Sequence, residues 1–290
     1  MFYPCFRIAV KGTKENRKFM PLHSITQTKQ DKLKEHLRRL GRIAVAFSSG
    51  VDSTFLLKTA HDLLGNQALA VTVHSCLSPQ RELDEAIQFT QNECIEHVVI
   101  EIDELSIQGF AQNPVDRCYL CKTEVFTRIR RIAEERSIPH VAEGSNADDS
   151  NDYRPGLQAI VELGILSPLR EAGLSKMEIR QLSGELGLRT WNKQSFACLA
   201  SRIPYGEEIT KKRLAMIDAA EQYLLDAGLC PVRVRFHGNL ARIETNEEGL
   251  QRLSDKAFRE AIHCRFKEIG FVYVAVDLLG YRTGSMNETL

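Results

Sequence analysis

A short turn after the first strongly apolar run has the composition of a phosphate site. The run Ile43–Phe47 ends in Ser48, Ser49 and Gly50, and a helical pattern begins at Asp52. Small residues between a strand and a helix leave backbone N–H groups unshielded at the carboxyl edge of a sheet, where the helix dipole also favours an anion. The turn therefore predicts an anion site. The alternative is a plain turn that caps the helix, with Asp52 complementing the helix dipole.

Two common phosphate motifs are absent from this turn. No lysine follows Gly50 as in the Walker pattern G-x-x-x-x-G-K-[ST], and the dinucleotide pattern G-x-G-x-x-G is missing as well. The sequence therefore disfavours the chemistry of ordinary P-loop kinases and motors.

Three of the eight cysteines have a spacing that suits metal or redox chemistry. Cys118 and Cys121 form a Cys-x-x-Cys at the start of a predicted helix, where the helix N-terminus, Arg117 and Lys122 should lower the thiol pKa. No second pair is present to complete a tetrahedral zinc site, which leaves ligation by three thiolates, with Cys198 as the third. Three thiolates on a four-iron cluster leave one iron open to another ligand. The alternative is a thiol/disulfide couple with Cys198 as a small buried residue. We expect buried structural positions for the other five, Cys5, Cys76, Cys94, Cys230 and Cys264.

The elements that must position the turn and the Cys-x-x-Cys alternate between strands and helices. Apolar runs at 43–47, 68–73, 97–102 and 140–143 are separated by helical patterns, which cover 29–40, 52–64, 80–93 and 119–136. Short, nearly continuous apolar strands between helices are typical of a parallel sheet covered on both faces. The pattern therefore predicts a doubly wound α/β domain. Ser175, followed three positions later by Glu178, predicts a capping box on a helix that ends near Gly187.

The order of elements changes after Ser195. A helix at 211–227, two alternating strands that turn at 237–239, a helix near 247–268 and a last strand at 271–278 predict a smaller α+β domain. We therefore divide the chain into an N-terminal extension (1–27), the α/β domain (28–194) and the C-terminal domain (195–290). An edge strand at 5–10 is the alternative for the extension.

Composition and charge narrow the class of protein. No apolar run approaches the ~20 residues of a membrane helix, and the first residues lack the ordered zones of a signal peptide. We therefore expect a soluble cytoplasmic protein with no membrane partner. Lys plus Arg and Asp plus Glu both number 38, so the formal net charge is zero and nucleic acid is an unlikely partner.

Seven segments, in order from about residue 30, together resemble the LarE family of the PP-loop ATP pyrophosphatase superfamily. The first motif is shared widely in the superfamily, whereas the last three are narrow. The segments are SSGVDST (48–54), NPVDRCYLCK (113–122), EGSNADDSNDYRPG (143–156), SPLREAGLSK (167–176), CLASRIPYG (198–206), VRVRFHGNLARIE (232–244) and DLLGYRTGSMN (277–287).

The resemblance implies a PP-loop (adenine nucleotide alpha hydrolase-like) domain and an ATP-dependent sulfur transferase of nickel-pincer nucleotide biosynthesis. ATP with Mg2+ would adenylylate a carboxylate of pyridinium-3,5-dicarboxylate mononucleotide, and sulfur would convert it to a thiocarboxylate. Adenylylation matters because a carboxylate would otherwise have to expel oxide, whereas an acyl-adenylate expels AMP. The family also implies an assembly of six chains.

Family members differ in their sulfur source. Some donate the sulfur of the cysteine that matches Cys198 and end as dehydroalanine after one transfer. Others add a Cys-x-x-Cys, and the three cysteines hold an iron-sulfur cluster whose extra sulfide is transferred. With Cys118 and Cys121 present, this sequence resembles the second class, so the resemblance implies a 4Fe-4S cluster and a possible sulfide donor as partner.

The resemblance also implies roles for individual residues. The phosphates of ATP would be held by Ser48, Ser49, Gly50, Val51, Asp52 and Ser53, with Asp52 near magnesium and Ser49 standing where the family has glycine; Arg170 would help to bind the nucleotide. The substrate's phosphate and carboxylates would be bound by Arg202, Arg233, Arg235 and Arg282, because guanidinium forks suit such groups. Solvated charge on an exposed strand face is the alternative for Arg233 and Arg235. Glu221 could contact metal or substrate, although a helical glutamate is more often surface charge.

Two other functions stay open at this point. A tRNA thiolase of the same superfamily can also use three cysteines, but it would need a basic surface for its RNA. A nucleotide-binding or sulfur-carrier module without catalysis is suggested by the serine at position 49. A salt-sensitive complex with tRNA would identify the first, and absence of pyrophosphate release from ATP would identify the second.

Overall fold

The first half of the chain forms a parallel sheet. The computed structural model describes residues 22–151, 155–194, 197–282 and 284–288. The larger sheet has the strand order β3-β2-β1-β4, with every pair parallel. Its strands are β1 (Ile43–Ala46), β2 (Ala68–His74), β3 (Glu96–Glu101) and β4 (His140–Ala142).

This strand order creates a crevice at the carboxyl edge of the sheet. The chain runs from β1 outward through β2 to β3, and then returns to place β4 on the other side of β1. The connections that follow β1 and β4 therefore leave the sheet on opposite sides of a switch point, where ligands of open α/β sheets bind.

Helices cover both faces of this sheet. Ile43 and Val45 pack on one face with residues of α1, α2 and α7, and Ala44 packs on the other with residues of α4 and α5. This confirms the doubly wound α/β prediction. The helices are α1 (Leu22–Leu40), α2 (Val51–Leu64), α3 (Gln80–Asn92), α4 (Arg117–Glu135), α5 (Pro155–Glu162), α6 (Pro168–Glu171) and α7 (Lys176–Glu185). Among these and the other described helices, none has the length and apolar run needed to cross a bilayer.

The first helix begins earlier than its sequence pattern predicts. α1 starts at Leu22, and Thr26 is buried where its hydroxyl donates to Glu178 at 3.2 Å. Residues 22–27 thus belong to a helix that packs on the domain. The rest of the expected extension, with its alternative edge strand at 5–10, lies outside the described residues.

The second half forms a smaller α+β unit. In its sheet β5 pairs antiparallel with β6, and β7 pairs parallel with β6. The predicted single helix near 247–268 is two helices, because Asp255 accepts a hydrogen bond from the Phe258 N–H and starts a new helix there. The elements are α8 (Lys211–Asp226), β5 (Val232–His237), β6 (Leu240–Thr245), α9 (Glu247–Arg252), α10 (Lys256–Ile269) and β7 (Tyr273–Val276).

The two halves share one apolar core. Leu77 and Phe110 of the first half are buried in the same cluster as Leu199 and Ile203 of the second. Backbone hydrogen bonds join them as well, with the Leu199 N–H donating to the Leu77 carbonyl at 2.9 Å. The segment that begins at Cys198 is therefore fixed against the first half.

Candidate functional site

The Ser48–Ser53 loop joins β1 to the first turn of α2, and hydrogen bonds connect its first and last residues. The Ser48 and Ser53 hydroxyl oxygens are 3.1 Å apart, and the Ser48 N–H donates to the Ser53 hydroxyl at 3.3 Å. Gly50 is the N-cap of α2 and provides no side-chain cap. The first turn of a helix that lacks a side-chain cap offers N–H groups to an anion. The geometry favours the anion site over the plain capped turn.

Asp52 sits in the first turn of α2 with one oxygen engaged and one not. Lys176 Nζ donates to Asp52 Oδ2 at 2.6 Å, whereas Oδ1 is buried and has no hydrogen-bond partner in the part of the chain that the structure describes. Burial raises the pKa of Asp52 above its ordinary value, and the ammonium of Lys176 offsets this only in part. A desolvated oxygen without a hydrogen-bond partner beside a phosphate loop fits a Mg2+ ligand.

The connection after β4 packs directly on this loop. A Cβ on Gly144 would lie 3.0 Å from the Ser53 nitrogen, so only glycine allows this approach without displacement. Glu143 accepts hydrogen bonds from the hydroxyls of Ser145 (2.8 Å) and Ser167 (2.6 Å). The Arg170 N–H donates to the Ser145 carbonyl at 3.1 Å, which places the half-buried Arg170 at the same edge.

Ser49 is held by partners that the sequence interpretation missed. Its φ is 52°, a region that residues with a side chain rarely adopt, and it is buried. Its hydroxyl donates to the carboxylate and the carbonyl of Glu82 on α3, and Lys193 Nζ reaches both the Ser49 carbonyl and hydroxyl. The Ser49 hydroxyl, at a position where the family has glycine, thus forms hydrogen bonds with both Glu82 and Lys193.

Two arginines fix the segments that carry the thiols. Arg202 donates to the carbonyls of Ala197 (2.5 Å) and Cys198 (3.1 Å), and it forms a bidentate ion pair with the fully buried Glu221. The expected surface role of Glu221 is therefore wrong, because Arg202 and the Val234 N–H draw this carboxylate inside.

Arg117 performs the same function for the Cys-x-x-Cys helix. Its guanidinium donates to Asn113 Oδ1 at 2.9 Å and stacks 4.1 Å from the centroid of the Tyr205 ring. Tyr205 belongs to the segment that follows Cys198, so this contact holds α4 against that segment.

Two of the three predicted thiol ligands, Cys121 and Cys198, have a raised pKa. Burial raises the pKa of Cys121 well above its ordinary value, and the charges of Cys198, Glu104 and Cys118 add to the effect. Burial likewise raises the pKa of Cys198 to about 11, although the residue as a whole is exposed, and Cys118 contributes. The expected lowering of the pKa is therefore wrong for Cys121, because burial and negative neighbours outweigh Lys122.

The donor set suits a metal cluster by its chemistry. All three thiols are free; the charges of Cys198 and Cys118 help to raise the pKa of Cys121, and that of Cys118 helps to raise the pKa of Cys198. Within the described residues, no group of three or more His, Cys, Asp or Glu side chains is arranged to hold a metal ion. The three thiols belong to two separate segments of the chain.

The remaining cysteines differ from their expected burial. Cys94, Cys230 and Cys264 are exposed, and Cys76 is half-buried against the shared core. The buried structural interpretation is wrong for the three exposed residues, which lie at a helix end, before a strand and on the outer side of α10. Cys5 lies outside the described residues.

The predicted substrate arginines fall into two settings. Arg233 and Arg235 are buried, so the alternative of solvated charge on a strand face is wrong. Arg235 donates to the Ser201 carbonyl (3.2 Å) and to Glu244 (2.7 Å), which places it beside the Cys198 segment. Burial lowers the pKa of Arg233, and the positive charges of Arg202 and Arg235 contribute to that shift.

The fourth arginine lies nearer the surface. Arg282 forms ion pairs with Asp277 (3.3 Å) and Glu288 (3.1 Å). The structure therefore brings Arg202, Arg233 and Arg235 together around the Cys198 segment and leaves Arg282 at the rim of the smaller sheet.

Comparison with known proteins gives clear relatives. No protein-family model matches the chain. The chain is 41% identical over 265 residues to an uncharacterized protein of Synechocystis sp., covering 91% of this chain and 98% of that protein. It is 39% identical over 265 residues to the pyridinium-3,5-bisthiocarboxylic acid mononucleotide synthase of Lactiplantibacillus plantarum, covering 91% and 95%. It is 25% identical over 201 residues to one of the subunits of the glutamine-hydrolyzing GMP synthase of Thermoplasma acidophilum, covering 64% of each protein.

Proposed function

The chain belongs to the LarE family of pyridinium-3,5-bisthiocarboxylic acid mononucleotide synthases, and on that premise we propose that it uses ATP to convert a carboxylate of pyridinium-3,5-dicarboxylate mononucleotide into a thiocarboxylate. The membership makes it an ATP-dependent enzyme of the PP-loop superfamily. The observation that carries the specific proposal is the Ser48–Ser53 loop, which starts α2 without a side-chain cap. The Cys198 segment lies at the same end of the molecule, since it contacts Leu77 after β2.

The activation step uses the loop and its immediate partners. A substrate carboxylate oxygen attacks the α-phosphorus of ATP, the bond to the β-phosphate oxygen breaks, and pyrophosphate leaves. The N–H groups at the start of α2 stabilise the negative charge that accumulates on the departing pyrophosphate. Asp52 Oδ1 would hold Mg2+, which supplies further neutralisation of the phosphates when bound.

The sulfur step takes place at the thiols. We propose that Cys118, Cys121 and Cys198 would hold a 4Fe-4S cluster, which when bound would supply the sulfide that displaces AMP from the acyl-adenylate. The contribution of Cys118 to the raised pKa of both Cys121 and Cys198 supports this, since thiols near one another can share one cationic centre. In the protein, Arg202 holds the Cys198 backbone and Arg117 holds α4, so the two thiol-bearing segments keep their relative position.

Substrate recognition falls to the arginines. The mononucleotide carries a phosphate and carboxylates, which guanidinium groups bind with two parallel hydrogen bonds. We assign this task to Arg233 and Arg235, which are buried near the Cys198 segment, and to Arg282 at the rim of the smaller sheet. For Arg202, the ion pair with Glu221 and the bond to the Cys198 carbonyl support a role in holding the thiol segment. We also propose an assembly of six chains, as in the family.

Pyrophosphate release tests the activation step. Full-length protein with ATP and Mg2+ should release pyrophosphate only when pyridinium-3,5-dicarboxylate mononucleotide is added. Release that depends on tRNA instead would identify a tRNA thiolase, and no release with either substrate would contradict an activating enzyme.

Cysteine substitution tests the cluster. Cys121→Ala, prepared and reconstituted anaerobically, should lose the broad iron-sulfur absorption and most of the bound iron. Cys264→Ala, which removes an exposed thiol on α10, is the matched control and should keep both. Equal iron content and absorption in the two variants would contradict the proposed ligation.

A further inference from the structure

Lys193 connects the Ser48–Ser53 loop with α3. The three N–H groups of its ammonium are shared among four acceptors, which are the Ser49 carbonyl (3.2 Å), the Ser49 hydroxyl (3.3 Å), Glu82 Oε2 (2.7 Å) and Glu85 Oε2 (2.5 Å). The Lys193 side chain is only 12% exposed. An ammonium with this many fixed acceptors stays in one place, and here that place is the second residue of the loop.

The bond to the Ser49 carbonyl has a consequence for the next N–H group. In a trans peptide the carbonyl and the N–H point in opposite directions. The Ser49–Gly50 peptide is trans, since among the described residues the cis peptide bond is Cys230–Pro231. When Lys193 holds the Ser49 carbonyl, the Gly50 N–H faces the opposite side of the loop. Gly50 is the N-cap of α2, so this N–H joins the first-turn donors available to an anion.

Ser49 needs such contacts to keep its conformation. At a φ of 52° it lies in the left-handed region, which is unfavourable for a residue with a Cβ. The hydroxyl bonds to Glu82 and the Lys193 bonds to the Ser49 carbonyl and hydroxyl hold the residue from both ends. Loss of Lys193 would let the Ser49–Gly50 peptide rotate away.

The backbone at Lys193 is itself anchored. Arg180 of α7 donates to the carbonyls of Trp191 (2.9 Å) and Lys193 (2.8 Å). An anchored backbone keeps the Lys193 ammonium beside the Ser48–Ser53 loop.

We propose that Lys193 is a positioning residue that orients the Ser49–Gly50 peptide for triphosphate binding. The proposal rests on the proposed function only in taking ATP as the ligand. It does not depend on the identity of the carboxylate substrate or on the cluster.

Binding of a non-hydrolysable ATP analogue tests the proposal. Affinity of full-length protein for α,β-methylene-ATP with Mg2+ is measured by calorimetry for the wild type, Lys193→Gln and Lys193→Arg. We expect Lys193→Gln to bind at least about tenfold more weakly, which equals about 1.4 kcal/mol, and Lys193→Arg to recover most of the loss. Lys58→Gln is the matched control, because Lys58 also forms two ion pairs, with Asp62 and Glu93 on the surface, and it should bind as the wild type does.

Three results would overturn the proposal, and each would do so even if pyrophosphate release succeeds. Lys193→Gln could bind within twofold of the wild type, or Lys58→Gln could lose as much affinity as Lys193→Gln. Thermal unfolding of each variant is recorded alongside, and a loss of binding without rescue by arginine would indicate a general structural role instead.

Discussion

At the scale of single residues, the chemistry depends on side chains whose environment opposes their charge. Cys121 and Cys198 have a raised thiol pKa, and the Asp52 carboxyl has a raised pKa for the same physical reason, loss of hydration. A bound cation reverses this balance, because it stabilises the thiolate or carboxylate that burial disfavours. These residues are therefore poor free nucleophiles and suitable ligands.

The raised pKa of Cys198 predicts slow alkylation at neutral pH. Because only the thiolate reacts, the alkylation rate of Cys198 in cluster-free protein should rise about tenfold per pH unit and level off near pH 11. The same cysteine in urea-unfolded protein should level off near the ordinary value of about 8.5. The measurement is iodoacetamide labelling read by mass spectrometry, and a plateau in folded protein below pH 9 would contradict the described environment.

The sequence predicted site residues only where those residues lie close together in the chain. The Cys-x-x-Cys and the SSGVDS turn are visible in the sequence because their members are adjacent. Lys193 and Glu82 are 111 positions apart, and Arg202 pairs with a glutamate on a later helix, so no short pattern could indicate either contact. The direction of the Cys121 pKa shift was also missed, because burial by distant segments cannot be read from neighbouring charges.

At the scale of elements, the phosphate loop depends on how closely β1, α2 and β4 meet. Apolar periodicity predicted these elements well, since a strand buried on both faces must be nearly continuous in apolar residues. The alternating pattern of β5 did not predict that Arg233 and Arg235 are buried, because the same pattern is typical of a strand with one solvent-exposed face. The break before α10 was missed since a capping aspartate resembles any other surface charge.

The approach of β4 to the loop predicts a strong effect of Gly144→Ala. The new Cβ would lie 3.0 Å from the Ser53 nitrogen, so the backbone of the first turn of α2 would have to shift by a few tenths of an ångström. We expect at least about tenfold weaker binding of an ATP analogue and a loss of about 1–3 kcal/mol in the free energy of unfolding. Calorimetry and urea denaturation measure the two effects.

Gly184→Ala is the matched control for this change. The nearest atom to its added Cβ is Trp191 Cγ at 4.0 Å, within a helix, so it should be neutral or stabilise by up to about 1 kcal/mol. Similar ATP-analogue affinity in the two alanine variants would contradict the described packing of the loop.

The buried ion pair behind Cys198 predicts a large stability effect. Glu221→Gln leaves the Arg202 guanidinium buried without a full counter-charge, and removing one partner of such a pair costs about 3–5 kcal/mol. Glu135→Gln, in the exposed pair with Arg131, should change the free energy of unfolding by no more than about 0.5 kcal/mol. Urea unfolding at pH 7 compares them, and equal small effects would contradict the structural role.

The same pair sets a pH dependence. Although burial alone would raise it, Arg202 brings the pKa of Glu221 below its ordinary value. A lowered folded-state pKa stabilises the protein above the unfolded pKa of about 4.3, and this stabilisation is lost as pH falls through the folded-state value. The wild type should therefore lose more stability than Glu221→Gln between pH 5 and pH 3.

At the scale of the whole molecule, the smaller sheet presents an apolar edge. β7 lies at the edge of that sheet, and Tyr273, Leu278 and Leu279 are 65%, 94% and 75% exposed. An open strand edge with large apolar side chains is typical of a surface that other chains cover. This agrees with the proposed assembly of six, which the sequence alone indicated only through family resemblance.

Light scattering tests the assembly. The wild type should have about six times the mass of one chain, and Leu278→Asp with Leu279→Asp should reduce it. Met177→Asp, which changes an equally exposed apolar side chain on α7, should leave the mass unaltered. A monomeric wild type, or a mass that both variants lower equally, would contradict this arrangement.

The most direct test counts product per chain. Anaerobically reconstituted protein is given ATP, Mg2+, sulfide and pyridinium-3,5-dicarboxylate mononucleotide, and thiocarboxylate, iron and bound sulfide are measured in the same sample. We predict more than one thiocarboxylate per chain, in proportion to iron content, with Cys198 intact by mass. At most one thiocarboxylate per chain, accompanied by conversion of Cys198 to dehydroalanine and independent of iron, would contradict the cluster-based account.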